Sequence, residues 1–318
     1  MLQQTPRTFL AVGLAAFLLV GCEAPTSEAH DQTQVTDTET VDHQAQAAPA
    51  LPPVTGDPAF TRTVDAPELE WGPCPPFMPE SCQLAVVQGD PGKRDADAFF
   101  RLEPGTSVPE HWHTSAERMV LLSGLMEVDY EGQTPVRVEP GTYAYGPAEL
   151  PHETHCLGTE GDDPCILFIA FEEPIDAIPG VPDEIPLGEP AFTWTADAPD
   201  LQWGPCPPFM PEGCELAVLQ GDPAGLNADV FFKMAPNTTV PMHWHTSAER
   251  MVLVSGQMRV NYQGQRPVTL EPFTYAFGPA ELPHETRCGD AGECILFIAF
   301  EEPVDAIDVR GGDLPQRR

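Results

Sequence analysis

Positive charge is the first thing this sequence has little of. It carries 15 Lys and Arg against 49 Asp and Glu, a formal charge of −34. Such a surface repels nucleic acid and anionic lipid headgroups, which excludes both as partners held by charge, and solubility is the plain reading of the acidity. Long apolar runs are also scarce. The early one, Phe9 to Val20, is too short to span a bilayer. No segment of useful length shows a helical period. From Glu23 to about Pro58 large apolar residues almost vanish in favour of Thr, Gln, Ala, Asp and Pro. That stretch cannot offset its ordering entropy by burial, so it reads as a flexible tether in which His30 and His43 are solvated. The cysteines never fall in CxxC spacing, which argues against a thiolate metal site.

What the chain does have is turns and short strands. The 38 Pro and 26 Gly, with 42% hydrophobic residues, favour a globular all-β chain. Arg7 followed by the Phe9–Val20 stretch predicts a signal peptide over residues 1–21. It ends in Leu19-Val20-Gly21-Cys22, which resembles a bacterial lipoprotein box; cleavage after Ala24 is the alternative. Either way the mature chain is expected outside the cytoplasm, touching a membrane only through lipidated Cys22. Export agrees with the other cysteines, four in each half: Cys74, Cys82, Cys156 and Cys165, then Cys206, Cys214, Cys288 and Cys294. An even set in an oxidising compartment implies disulfides. Sequence allows three connectivities in each half, and adjacent pairing is the expectation.

Most of the chain is a repeat. Ala59 aligns with Ala191, Trp71 with Trp203 and His111 with His243. Four blocks are identical between the copies: WGPCPPFMPE, HWHTSAERMVL, GPAELPHET and CILFIAFEEP. So long a period is a duplicated domain rather than a solenoid unit. The expected division is a tether over 22–58, domains over 59–181 and 182–310, and a tail over 311–318. Glu131-Gly132 and Gln263-Gly264 read as hairpin turns. Ile166 to Phe171 is a continuous apolar run, as expected of a strand buried on both faces.

The second block carries the chemistry. On a strand, residues two apart share a face, so His111 and His113 project together, as do His243 and His245. A hairpin through Thr114-Ser115-Ala116 would return Glu117 beside them. Two imidazoles and a carboxylate make a site suited to a divalent transition metal.

These residues resemble the cupin superfamily. Gly105, His111, His113, Glu117 and Gly124 reproduce its first motif in spacing, and Pro147 to His152 resembles its second. The second copy matches with His243, His245, Glu249, Gly256 and Pro279 to His284. Departures are Asn237 for the first-motif glycine, Glu149 and Glu281 for the second-motif glycine, Phe273 for Gly141, and Cys156 and Cys288 where many members have Asn. The resemblance implies two tandem jelly-roll barrels, a bicupin. It further implies metal ligands His111, His113, Glu117 and His152 in one barrel and His243, His245, Glu249 and His284 in the other. One divalent ion per barrel, Fe(II) or Mn(II), is then expected.

Around each metal, Met119, Leu121, Met251 and Leu253 share the parity of the ligand Glu and should line the barrel. One of Tyr143 and Tyr145, and one of Tyr275 and Phe277, should face inward, which makes Tyr143 and Tyr275 candidate hydrogen-bond donors to substrate. Core packing is the competing role. Glu149 and Glu281 are candidate acid–base groups, as are Glu153 and Glu285, with a solvated face as the alternative. Arg118 and Arg250 should point away from the metal, towards an acidic exterior. Arg101 and Lys233 are the better anion contacts, and His155 is a surface residue. The function expected is an oxygenase-like oxidoreductase acting on a small molecule. The alternatives are a lipoprotein that captures a metal or small ligand, and an oxalate-decarboxylase-like lyase. Oxalate decarboxylases are bicupins that share the His-Trp-His-x-x-Ala-Glu string, but no lid carboxylate or pocket arginine is evident here.

Overall fold

The alternation read in each repeat folds into a pair of antiparallel sheets. The structure is a computed structural model and describes residues 56–185, 188 and 190–311. The expected signal peptide, Cys22, the tether up to residue 55 and the tail after residue 311 lie outside the described residues.

In the first barrel the larger sheet centres on Glu117–Ser123, Cys165–Phe171 and Asp97–Leu102, with Gln83–Gln88 and Gly72–Pro73 beyond them. The smaller sheet runs Ile178–Pro179, Ser107–Trp112, His152–Cys156, Met126–Tyr130, Val136–Val138. The second barrel repeats both sheets, from Gly204–Pro205 to Ile307–Asp308. All four cysteine pairs are adjacent disulfides, Cys74–Cys82, Cys156–Cys165, Cys206–Cys214 and Cys288–Cys294. The turn read at Glu131-Gly132 joins Met126–Tyr130 to Val136–Val138 as a hairpin.

Two expectations change. The segment from His111 to Glu117 is not a hairpin. Ser107–Trp112 pairs with His152–Cys156 in the smaller sheet, while Glu117–Ser123 pairs with Cys165–Phe171 and Tyr143–Gly146 in the larger. The polar turn crosses from one sheet to the other, which is how the donors come to face each other across the barrel. Sheet membership also departs from the linear division of the chain. Phe60–Arg62 pairs with Tyr275–Gly278 and so completes the second barrel, whereas Phe192–Trp194 pairs with Tyr143–Gly146 of the first. With its amide oriented to satisfy both atoms, Gln265 brackets the Ala59 backbone at 2.9 and 3.0 Å. Gln133 brackets Ala191 in the same way, at 3.1 and 3.2 Å. The two copies therefore exchange their first strands.

Each larger sheet is buried on both sides. In Cys165–Phe171 every residue is buried. Leu167, Ile169 and Phe171 enter the first barrel's core, while Ile166, Phe168 and Ala170 join a cluster shared with the second barrel's Phe231, Val252, Tyr275 and Phe297. Aromatic rings cross that joint, Phe168 to Tyr275 at 5.3 Å and Tyr143 to Phe297 at 5.4 Å. Each such side chain taken fully from water contributes about 1.5–3 kcal/mol.

Charge sits inside this apolar joint. Arg118 is fully buried, its Nη1 lying 3.3 Å from Asp229 Oδ1 and 3.3 Å from the Phe300 carbonyl of the other barrel. Arg250 makes the same contacts with Asp97 and Phe171, both at 3.3 Å. Tyr143 donates to Asp229 at 2.6 Å and Tyr275 to Asp97 at 2.7 Å. The expectation that Arg118 and Arg250 serve the acidic exterior is corrected. They do point away from the metal side, but that side is the partner barrel. Burial pushes the Asp229 carboxyl up to about 6 and raises Asp97, with the guanidinium and phenol partners pulling against it.

Removing one member of a buried ion pair strands the other charge in a dry joint. Asp229→Ala or Asp97→Ala is expected to lower stability by about 3–5 kcal/mol. Denaturant unfolding checks this, and a loss under about 1 kcal/mol, the level of an exposed pair, would show that the joint is wet.

Candidate metal centre

Three strands and one turn bring the donors together. His111 is the penultimate residue of the strand Ser107–Trp112, His113 begins the crossing turn, Glu117 opens the next strand, and His152 opens the strand paired opposite His111. The imidazole centroids lie 4.3 Å (His111 to His152), 4.9 Å (His111 to His113) and 5.4 Å (His113 to His152) apart. In the second barrel His243, His245 and His284 give 4.3, 4.9 and 5.3 Å. One donor atom from each histidine of a triad lies within 4.8 Å of the others. Glu117 Oε1 is 3.4 Å from His113 Nε2 and its Oε2 is 3.5 Å from His152 Nε2. Glu249 makes the matching approaches at 3.3 and 3.5 Å. Donors about 2.0–2.2 Å from a common divalent ion are spaced in this range.

The backbone sets which nitrogen faces inward. His111 Nδ1 donates to Pro109 O at 2.9 Å, His152 Nδ1 donates to Leu150 O at 3.2 Å, and His113 Nδ1 donates to Asp176 O. A carbonyl can only accept, so Nδ1 carries the proton and each Nε2 turns a lone pair to the centre. Burial holds His111 at about 4 and His152 at about 3, and it lowers His243 and His284 as well, so these rings are neutral at pH 7. His113 Nε2 and His245 Nε2 are buried without a hydrogen-bond partner among the described residues. Nitrogen lone pairs set against a carboxylate, all out of water, are unfavourable together until a cation sits between them. The donor sets fit a divalent metal in both barrels.

Each centre forms the floor of a cavity, about 230 Å³ in the first barrel and 250 Å³ in the second. Met119 and Met251 line these cavities and Leu121 and Leu253 lie in the barrel cores, as their parity predicts. Tyr143 and Tyr275 do not line them. Residues 143 and 145 share a face because they are two apart, and it is Ala144 between them that enters the barrel. The expectation that one of each aromatic pair points inward is corrected on that ground.

The Glu149 carboxylate is exposed and that of Glu281 half-buried, and neither lines a cavity. Their backbone φ values are 61° and 59°, so they retain the left-handed turn where the second cupin motif has glycine. In that turn Glu149 N donates to His113 O and Glu281 N to His245 O, both at 2.8 Å. Glu153 is likewise exposed and Glu285 half-buried. Arg101 is paired with Glu103 at 2.9 Å and Lys233 with Glu215 at 2.6 Å, Lys233 also lying over the Trp203 ring. His155 is half-buried, 2.7 Å from Ser107 Oγ.

Tyr130 and Tyr262 are the residues that sequence reading missed. Each ring lies 5.1 Å from a ligand histidine, and each hydroxyl is buried with no hydrogen-bond partner among the described residues. Burial and the adjacent Glu117 or Glu249 push both phenols well above their ordinary range, so they stay protonated donors. The signal was present in the alternation of Met126, Val128 and Tyr130 ahead of the hairpin turn.

A family model described as the Cupin domain matches residues 98–171 and 230–300. No curated relative matches the chain by sequence. Among solved structures, the chain is similar to the oxalate decarboxylase of Lactobacillus farciminis in its formate complex. The identity is 16% and the TM-score 0.54, over 81% of this chain and 90% of that one. The oxalate decarboxylase of Bacillus subtilis aligns at 16% identity and a TM-score of 0.50, over 81% and 80%. At such identity the likeness establishes the two-barrel fold.

The lowered imidazole pKa values have a consequence for the metal-free protein. Between the folded values near 3–4 and the ordinary 6.5, the unfolded chain binds more protons than the folded one. Stability from these groups is complete above 6.5 and lost as pH falls through the folded values. Thermal melts of metal-free protein from pH 7 to 4 should show a falling Tm, with a shallower fall in the His152→Gln, His284→Gln variant. An unchanged slope in the variant would clear these imidazoles of the effect.

Proposed function

The chain is a bicupin, and from that premise we propose that it is an exported metalloprotein whose barrels each hold one divalent ion, Fe(II) or Mn(II), and act as an oxygenase-like oxidoreductase on a small molecule. The observation that carries the reading is a complete set of three imidazoles and one carboxylate at the floor of a cavity, present twice. Such a set leaves one or two positions of a six-coordinate ion for other ligands, and the ion supplies Lewis-acid and one-electron chemistry. The chain's own part is to orient and to keep dry. Pro109 O, Asp176 O and Leu150 O fix the three rings. Most of the cavity wall is apolar, and the Tyr130 and Tyr262 hydroxyls offer a proton-bearing donor beside the carboxylate ligand. Four disulfides support export, and Cys22 is the proposed point of lipid attachment.

Metal analysis of purified protein tests the reading. About two Fe or Mn per chain are expected, falling by about one in each of His111→Ala and His243→Ala, since each removes a ligand from a single site. The loaded protein should consume oxygen with a small-molecule substrate. Freely exchanging metal with no oxygen consumption across a substrate panel would replace the oxygenase with a capture protein.

A further inference from the structure

The two cavities differ sharply in polarity between floor and wall. At the floor lie the ligands, one phenol and one threonine, Thr154 or Thr286. The walls are hydrocarbon and thioether, with Met78, Leu84 and Phe100 in the first barrel matched by Met210, Leu216 and Phe232 in the second. Among the described residues no Lys or Arg lines either cavity. The charged residues that do are the ligand carboxylates and Asp176 or Asp305. Asp176 is already occupied, its carboxylate accepting from Thr114 N at 3.0 Å and Thr114 Oγ1 at 2.8 Å. Arg101 and Lys233, which follow the wall residues Phe100 and Phe232, are tied to Glu103 and Glu215, and Arg118 and Arg250, which follow the ligand carboxylates, are held in the joint by Asp229 and Asp97.

This arrangement sets the charge its occupant can carry. A divalent ion with one carboxylate ligand leaves a single net positive charge at the floor. The second carboxylate of a dicarboxylic acid would be buried against methionine, leucine and phenylalanine with no counter-charge, at a cost of several kcal/mol. The chain's overall charge of −34 adds repulsion during approach. Size is set by the volume. An engineered apolar cavity of about 150 Å³ accepts benzene, so 230–250 Å³ has room for a somewhat larger molecule, of roughly ten to fifteen non-hydrogen atoms.

Positions that line the cavity in both copies are identical save Ile175, matched by Val304; Leu270, which lines only the second cavity, has Val138 as its counterpart. The geometry points to one ligand class for both barrels: an uncharged, mainly hydrocarbon molecule, aromatic or alicyclic, with a hydroxyl or carbonyl oxygen at the end that meets the metal. Small dicarboxylates are excluded. This rests on the metal-site reading above and supplies its substrate class. Tyr130 and Tyr262 are then positioning residues that donate to the ligand's oxygen end.

The test uses the mature protein loaded with Co(II) under anaerobic conditions, with 2-naphthol and oxalate as probes. Calorimetry should give about two equivalent 2-naphthol sites per chain, with the negative heat-capacity change of apolar burial. The visible Co(II) spectrum should shift as 2-naphthol binds, while oxalate binds at least about 100-fold more weakly. The double variant Met78→Arg, Met210→Arg should weaken 2-naphthol by about tenfold or more, since it removes apolar wall on the scale of part of a methionine side chain. The double Met→Leu variant should keep binding. Oxalate binding as tight as 2-naphthol, a Co(II) spectrum unmoved by 2-naphthol, or affinity unchanged in a folded arginine variant would each overturn the inference. The spectrum of the unsubstituted protein decides alone if the arginine variant does not fold. None of these readouts needs turnover, so an absence of oxygen consumption in the Fe or Mn form would count against the oxygenase reading and leave the ligand class standing.

Discussion

The burial of each larger sheet on both faces is the constraint from which the rest follows. A strand offers its faces alternately, so one side of Glu117–Ser123 and Cys165–Phe171 builds the cavity while the other builds the joint between barrels. Glu117 faces the metal position and Arg118, the next residue, reaches the other barrel. Ala144 enters the barrel while Tyr143 crosses the joint to Asp229. Site and joint are thus the two sides of one wall.

The four sequence blocks that the copies share word for word now have physical roles. HWHTSAERMVL supplies three ligands, the joint arginine, and Ser115 or Ser247, whose hydroxyl accepts from the backbone of Glu172 and Glu173 or of Glu301 and Glu302. GPAELPHET supplies the left-handed turn at Glu149 or Glu281 and the third histidine. CILFIAFEEP is the strand between cavity and joint. WGPCPPFMPE brings a cysteine of the first disulfide, Met78 or Met210, and a proline into the cavity wall. Each block serves a surface that its copy must match, either around the same ligand set or across the pseudo-symmetric joint.

Much of this was legible in the sequence because it is local. The shared face of His111 and His113, two apart on one chain segment, was readable from strand geometry. The same holds for the doubly buried run Ile166 to Phe171 and for Asn237, which takes the left-handed φ of 62° where its counterpart is glycine. What escaped depended on partners distant in the chain. Nothing near Arg118 announces Asp229, so a charge next to a ligand reads as surface. The turn after His113 resembles a hairpin until the sheets on either side are known. Tyr130 was within reach of the alternation rule, whereas Tyr143 and Tyr145 were misread through that same rule, since residues two apart cannot face opposite ways.

The exchange of first strands sets an order of assembly. Phe60–Arg62 pairs with Tyr275–Gly278, near the other end of the described chain. The first described strand to leave the ribosome therefore has no place in a sheet until almost all of the protein has been made, and the first barrel's larger sheet lacks its edge until Phe192–Trp194 follows. Contacts of such separation close late and slowly, and meanwhile an unpaired apolar edge waits in each half. Each half of this duplicated protein completes its larger sheet with a strand drawn from the other, so the two barrels that resemble separate molecules are finished together.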